Sequence, residues 1–125
     1  MPSSTAVVVR HKWDSVDRKE VTPGIVRQFI SGSRMSVAKF SLARGTSVPT
    51  HSHENEQISY VVRGALRFTV DGREVLVRAG EVLVIPPNVP HGVDDVPEDS
   101  EAIDMFNPVR QDWIEGTETY FKKPG

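Results

Sequence analysis

The chain has 125 residues, of which 38% are hydrophobic, and this size suits one domain around one core. Its 15 Lys and Arg residues nearly balance 17 Asp and Glu residues, and the formal charge of -2 predicts no nucleic-acid partner and no membrane surface. Cysteine is absent, which excludes disulfides, thiolate metal sites and cysteine nucleophiles. Because neither a signal-peptide pattern nor an apolar run of about 18 residues is present, we expect a cytoplasmic protein.

The predicted elements are short strands separated by turns. Residues 1–20 carry mixed charge, and we expect them to form an N-terminal arm or an edge strand ahead of a single domain over residues 21–125. Short segments rich in Val, Leu, Ile and Phe follow, at spacings of about 8–12 residues that are typical of an all-β sandwich or barrel. The clearest of these segments are 67–70, 74–77 and 81–85.

Turn residues indicate how the strands are joined. Asp71-Gly72 predicts a type I′ hairpin, because both residues of that turn need positive φ. Arg63-Gly64 is a weaker candidate for the preceding hairpin. One helix is expected near residues 110–115, where Gly116 would end it.

The strand after the first histidines is apolar on its outer face, with Ile58, Tyr60 and Val62. Such a face is usually covered, so we predict a homodimer through this sheet. The alternative is cover by the N-terminal arm, which Trp13 could supply. Arg27 could line the cavity, but a solvated position is expected.

Three of the four histidines lie in two compact clusters. On a strand, His51 and His53 would project from one face, because side chains alternate with a period of two. His91 follows a proline-rich turn at 86–90. The three imidazoles can converge only if the sheet curls into a barrel, where they would leave one side of a metal ion open for catalysis. Ordinary surface histidines remain the alternative that a lone His-x-His pair leaves open.

The longer spacing resembles the two motifs of the cupin family. The first motif reads Gly45, five residues, His51, one residue, His53, three residues, Gln57, six residues, Gly64. The second reads Gly80, five residues, Pro86, one residue, Asn88, two residues, His91. The resemblance implies the cupin double-stranded β-helix, an all-β jelly-roll barrel, with one divalent metal ion. The resemblance also implies that the ligands of this ion are His51, His53, Gln57 and His91.

Gln57 stands where most cupins have Glu. A neutral amide leaves the full charge on a divalent ion, which makes the ion a stronger Lewis acid but removes a carboxylate that could act as a base. Glu56 is a rival ligand because it is charged and adjacent, although its parity should point it away from His53. Nitrogen and oxygen donors do not identify the ion, which could be Zn, Ni, Fe, Co or Mn.

The segment 100–110 carries a second group of polar residues. If it forms the last barrel strand, Asp104 and Phe106 share one face, and Asp104 would face a polar cavity. Pro108 would then end the strand, so that Arg110 could return over the barrel mouth. From spacing alone, a strand-end Asp and a solvated Arg remain the alternative.

The run Asp104-x-Phe106-x-Pro108-x-Arg110, together with the His-Ser-His and Glu-Gln pairs, resembles the KdgF-type cupins. That family linearises the unsaturated monouronates that lyases release from pectin and alginate. The resemblance implies a metal-dependent ring-opening enzyme with a small sugar-acid substrate, and it implies Asp104, Phe106 and Arg110 as catalytic residues. Two other classes stay open: a dioxygenase or other isomerase or lyase on the same scaffold, and a non-catalytic sugar-binding or sensor module.

Overall fold

The structure, a computed structural model, describes residues 6–121. Within that range ten strands precede one short helix. The elements are β1 (Lys19–Thr22), β2 (Ile25–Ser31), β3 (Ser36–Leu42), β4 (Val48–His51), β5 (Glu56–Arg63), β6 (Ala65–Val70), β7 (Arg73–Arg78), β8 (Val82–Ile85), β9 (His91–Asp95), β10 (Ser100–Asn107) and α1 (Gln111–Glu115). None of the described helices is long and apolar enough to cross a membrane.

The strands form two antiparallel sheets. One has the order β1-β2-β3-β10-β5-β8, and the other has the order β4-β9-β6-β7. Their inward side chains make one hydrophobic core, because apolar and polar residues alternate along the strands. Core residues from both sheets include Ile25, Phe40, Val61, Leu66, Phe68, Val93 and Phe106. This is the predicted all-β jelly-roll barrel.

The same alternation places the polar residues that line the barrel interior. On β10, Ala102 and Phe106 are buried, so Asp104 between them also points inward. On β5, Gln57 and Ser59 are buried, while Glu56 is exposed. The register pairs Asp104 with Ser59 across β10 and β5. The polar interior therefore follows from strand parity, as expected.

The turn predictions had different outcomes. Asp71 and Gly72 have φ values of 50° and 78° between β6 and β7, so the predicted hairpin is confirmed. The hairpin predicted at Arg63-Gly64 is wrong, because β5 and β6 belong to different sheets and the chain crosses between them there. Gly64 is needed at this crossing, since a Cβ would collide with the Ser100 hydroxyl. The predicted helix is α1, and Gly116 ends it in a left-handed conformation.

The N-terminal segment packs along the outside of β2. Residues 6–18 form an arm with one 3-10 turn at Trp13–Ser15, and β1 follows as the edge strand. The Gln28 amide donates to the carbonyl oxygens of Trp13 and Val16, at 2.6 and 2.9 Å. The first five residues of the predicted arm lie outside the described range.

The outer face of the larger sheet stays exposed at its other end. On β5, Tyr60 and Val62 are exposed, and on β8 both Val82 and Val84 are 56% exposed. This face carries the apolar residues from which the homodimer is predicted. The N-terminal arm contacts β2, four strands away from β8 in the sheet order.

Candidate metal centre

Three histidines converge at one end of the barrel. β4 ends at His51, His91 begins β9, and the two residues pair across these strands with ring centres 4.5 Å apart. His53 lies just beyond β4, with its ring 4.8 Å from that of His91. One potential ligand atom of each side chain lies within 4.8 Å of the other two. The structure thus brings together the three residues that the spacing singled out.

Backbone hydrogen bonds fix the orientation of each imidazole. In all three rings Nδ1 lies next to a carbonyl oxygen, which can only accept, so Nδ1 carries the proton. The acceptors for His51, His53 and His91 are Pro49, Asn55 and Val89, at 2.8, 3.1 and 2.8 Å. The Nε2 lone pair of each neutral ring is therefore the one available to a metal ion.

Gln57 is placed to be the fourth donor. Its amide nitrogen donates to the Ser59 hydroxyl at 2.9 Å, which directs the amide oxygen toward His53. That oxygen lies 3.0 Å from His53 Nε2. Both atoms are acceptors when Nδ1 of His53 is protonated, so their lone pairs oppose each other unless a cation lies between them. Glu56, the rival ligand, is exposed on the opposite side of β5.

The surroundings of the histidines also suit a cation. His91 Nε2 is buried and has no hydrogen-bond partner among the described residues. Such an unpaired buried acceptor is costly in a native structure and marks a missing partner. The three imidazoles and the Gln57 oxygen make a nitrogen and oxygen donor set that suits a divalent transition metal. The residues present therefore fit the ion that the cupin motifs imply.

Burial keeps the three rings neutral at physiological pH. Loss of solvation lowers the pKa of His51 and of His53 to about 4, from 6.5. The neighbouring imidazoles and Arg110 contribute smaller parts of the same lowering of the pKa. Burial also lowers the pKa of His91. Metal ligation by imidazole needs the neutral form, so no proton has to leave at pH 7.

Asp104 lies beside the candidate ligands, inside the barrel. Its Oδ2 is 3.4 Å from the Gln57 amide nitrogen, and its Oδ1 is buried without a hydrogen-bond partner within residues 6–121. Burial raises the pKa of Asp104 to about 7, against the opposing effects of Ser59 and Arg110. A carboxyl group with a pKa near neutrality is typical of general acid–base catalysts.

Arg110 is buried instead of solvated. Its Nε and Nη2 donate to both carboxylate oxygens of Asp112, at 2.9 and 2.8 Å. The guanidinium carbon lies 4.7 Å from the Phe106 ring centre and 3.9 Å from that of Trp113. Phe106 in turn contacts the His53 ring edge-on, at 5.7 Å. The three residues expected to be catalytic therefore lie along one wall of the site, next to the histidines.

Several residues of the site carry no sequence signal. Trp113 of α1 is buried against Phe106 and Arg110, and Asp112 forms an ion pair with the guanidinium of Arg110. The Tyr120 ring is stacked on His51, with centres 4.0 Å apart and an angle of 6° between planes. These residues lie beyond the last strand, outside both cupin motifs. Their positions depend on where the chain returns after β10, which strand periodicity does not predict.

A small cavity lies under this C-terminal segment. Its lining includes His51, Gln57, His91, Asp104 and Arg110, and its volume is about 50 Å³. Ligand sites for molecules of drug size are usually about 300–1,000 Å³. A water molecule or two fits this cavity, whereas a sugar ring needs the covering residues to move.

Comparisons with known proteins agree with this architecture. The profile of the cupin domain matches residues 38–105, more than half of the chain, and the chain belongs to the cupin family. It is 29% identical over 103 residues to the pectin degradation protein KdgF of Dickeya dadantii (strain 3937), covering 81% of this chain and 94% of that protein. The predicted resemblance to KdgF-type cupins is thereby confirmed.

Two solved structures are similar over most of both chains. The structure of KdgF from a Halomonas species superposes with a TM-score of 0.72 at 32% identity, covering 78% of this chain and 90% of that one. An RmlC-like cupin from Shewanella frigidimarina NCIMB 400 gives a TM-score of 0.77 at 29% identity, with 82% and 93% covered. The predicted cupin jelly-roll fold is confirmed.

Proposed function

We propose that this protein is a metal-dependent enzyme that opens the ring of 4,5-unsaturated monouronates derived from pectin or alginate. The observation that carries the proposal is the arrangement of three neutral imidazoles and the Gln57 oxygen around one point, with the buried carboxyl of Asp104 beside them. Similarity to a pectin degradation protein supports the choice of substrate class.

The reaction is an isomerisation that needs no redox partner. In the substrate, the ring oxygen is both part of a hemiacetal at C1 and an enol ether at C5. The C1–O bond breaks as the anomeric hydroxyl gives up its proton, which leaves an aldehyde at C1. The released oxygen becomes an enolate at C5, and the proton from the anomeric hydroxyl is delivered to C4, which leaves a ketone at C5.

The protein has to stabilise negative charge and move one proton. A divalent ion bound by the histidines and Gln57 supplies Lewis-acid stabilisation of charge on the sugar oxygens. Asp104 lines the cavity and no described residue bonds to its Oδ1, so it is the group assigned to carry the proton from the anomeric hydroxyl or to C4. Phe106 packs against the sugar ring.

Arg110 is assigned to a substrate oxygen near the metal centre. Asp112 already accepts from its Nε and Nη2, so a bidentate contact through that edge is not available. The remaining Nη1 is the group that can donate to a substrate oxygen while that ion pair persists. Asp112 thus orients the guanidinium and limits it to one edge.

The experiment that tests this function separates it from a dioxygenase. Protein is stripped of metal, reloaded with Zn²⁺, and mixed with freshly made unsaturated monouronate in the absence of oxygen. Loss of the double-bond ultraviolet absorbance faster than in the enzyme-free control supports ring opening, which needs neither oxygen nor a redox metal. Turnover that requires oxygen and iron would favour a dioxygenase, and binding without turnover would favour a sugar sensor.

The assembly proposed with this function is a homodimer. The exposed apolar side chains of β5 and β8, Tyr60, Val62, Val82 and Val84, supply the surface. A contiguous apolar patch on a sheet face is a common site of protein association. The barrel interior, with the candidate metal centre, lies on the other side of this sheet.

A further inference from the structure

A second buried arginine packs against Trp113 of α1. Arg27 was expected to be solvated, but it points inward from β2 and is 3% exposed. Its guanidinium carbon lies 4.4 Å from the ring centre of Trp113 and 5.4 Å from that of Phe29. Arg27 and Arg110 therefore contact the same indole, and Trp113 links Arg27 to the wall of the candidate site.

The only ion pair of Arg27 in the described part of the chain is incomplete. Its Nη2 donates to Glu118 Oε1 at 3.1 Å, and the exposed Lys19 ammonium donates to the same oxygen at 3.0 Å. Within the described range, Arg27 Nε and Nη1 and Glu118 Oε2 are buried without a hydrogen-bond partner. Buried polar groups left unpaired in this way are costly. Glu118 therefore occupies the carboxylate position on Arg27 but leaves Nε and Nη1 of the guanidinium without a hydrogen bond.

Glu118 belongs to the segment that covers the metal centre. Residues 117–121, here called the cap, follow α1 and include Tyr120, which is stacked on His51. The Trp113 indole N–H donates to the Tyr120 hydroxyl at 3.3 Å. Glu118 and Tyr120 are two residues apart, at most about 7 Å between Cα atoms, so their contacts with Arg27 and His51 hold the same short stretch of chain. Releasing Glu118 from Arg27 therefore loosens the residue that covers His51.

We propose that Arg27 is a carboxylate-binding subsite that Glu118 fills when the cap is closed. An acidic ligand takes the place of Glu118 on Arg27, and the exchange frees the cap from the metal centre. The cavity of about 50 Å³ beneath the closed cap is consistent with this exchange, because a sugar cannot enter until the cap moves. A neutral sugar brings no carboxylate, so the exchange selects for acids. The identification of the ligand as a uronate rests on the proposed function.

The direction in which a substitution of Glu118 changes ligand affinity shows whether Glu118 competes with the ligand for Arg27 or holds Arg27 in place for it. Glu118→Gln keeps the side-chain shape and removes the charge that competes for Arg27. Binding of D-galacturonate, a saturated uronate that has no double bond to rearrange, is measured by calorimetry on the Zn²⁺-loaded protein. We expect Glu118→Gln to bind it about fivefold more tightly than wild type, a change of about 1 kcal/mol. Equal or weaker binding would overturn the proposal.

Matched controls come from ion pairs elsewhere on the surface. Glu101→Gln breaks the pair with Lys39, 2.9 Å long, on the outer face of the sheet, and should leave galacturonate binding unchanged. Arg27→Met should weaken that binding about tenfold or more, because it removes a charge-assisted contact. Arg67→Met breaks the pair with Glu74 and should leave galacturonate binding unchanged. Galacturonate binding by Arg27→Met equal to that of wild type would contradict the subsite.

Cap opening has its own readout. The Trp113 indole N–H is hydrogen-bonded to the cap, whereas Trp13 lies in the N-terminal arm and serves as an internal reference. In NMR spectra of ¹⁵N-labelled protein, acetate or galacturonate should increase solvent exchange of the Trp113 indole proton, and D-galactose should not. An unchanged Trp113 signal in galacturonate-saturated protein would show that the cap does not move.

The two proposals can fail separately. If unsaturated uronates are not opened but Glu118→Gln still binds galacturonate more tightly, the proposed function fails and the subsite stands. If uronates are opened with the same KM by wild type and Glu118→Gln, the subsite fails and the function stands. Glu118→Gln preserves side-chain volume, and its fold is checked by circular dichroism before either comparison.

Discussion

Gln57 and Asp104 face each other across β5 and β10, with the Gln57 amide nitrogen 3.4 Å from Asp104 Oδ2. Because this nitrogen also donates to Ser59, the amide oxygen is directed to His53. A carboxylate at position 57 could not donate to Asp104. Because Gln57 replaces the usual cupin glutamate, a neutral candidate ligand and the carboxyl group of Asp104 can lie side by side.

The substitution Gln57→Glu tests this relationship. We expect divalent metal ions to bind about tenfold more tightly, because a negative charge joins the neutral ligands. Ring opening should fall about tenfold or more, because the new carboxylate repels Asp104 and removes its donor. Calorimetry and the ultraviolet assay measure the two effects. The neighbouring exposed Glu56→Gln is the control and should change neither, and full activity in Gln57→Glu would contradict the assignment.

Removal of one histidine should release the metal ion. His91 Nε2 is buried and has no partner among residues 6–121, so His91→Ala removes a ligand that the other residues cannot replace. Since disturbing even the outer partners of a metal ligand typically costs 10–100-fold in affinity, we expect about 100-fold weaker Zn²⁺ binding. Competition with a chromophoric chelator gives the affinity. His11→Ala, on an exposed residue of the arm, should match wild type, and metal retention by His91→Ala would argue against this ligand set.

Asp104 should make the metal-free protein less stable as pH rises. Its folded-state pKa of about 7 lies above the ordinary 3.8, so its contribution to stability is complete below about pH 4 and is lost as pH rises through 7. Asp104→Asn removes this loss. Between pH 5 and pH 8, wild type should lose about 2–3 kcal/mol of unfolding free energy relative to the variant. Urea titrations of metal-free protein at both values measure the difference, and parallel pH profiles would contradict the raised pKa.

The homodimer stays a prediction with a direct test. Val84 is 56% exposed on the edge strand β8, so Val84→Glu places a charge in the apolar patch without disturbing the core. Light scattering after gel filtration should show a dimer for wild type and a monomer for the variant. Arg73→Glu, on β7 of the other sheet, is the control and should leave the mass unchanged. A monomeric wild type would remove the dimer from the account.

Strand periodicity and motif spacing were sufficient for the barrel and its polar interior. The parity of β5 and β10 placed Gln57 and Asp104 inside, and the cupin spacing brought His91 to His51. Both inferences depend on local rules, because alternation along a strand and a fixed number of residues between strands decide which side chains meet. The incorrect hairpin at Arg63-Gly64 shows their limit, since a tight turn can also carry a chain from one sheet to the other.

The C-terminal cover of the site could not be predicted in this way. Tyr120 reaches His51 because α1 turns back over the barrel, and no periodic pattern encodes that return. Arg27 looked like a surface residue because its buried partner, Glu118, is 91 residues away in the sequence. Ion pairs between distant segments are tertiary contacts, so a charged residue within a strand pattern says little about its own burial.

The most direct test of the central claim compares wild type with Asp104→Asn on unsaturated monouronate, both loaded with Zn²⁺ to equal occupancy. Asparagine keeps the size of the side chain and removes its capacity to carry a proton. We predict that wild type consumes the double-bond absorbance without oxygen and that Asp104→Asn is at least about 100-fold slower with metal still bound. Equal rates for the two proteins, or no acceleration by wild type, would contradict metal-assisted ring opening with Asp104 as the proton carrier.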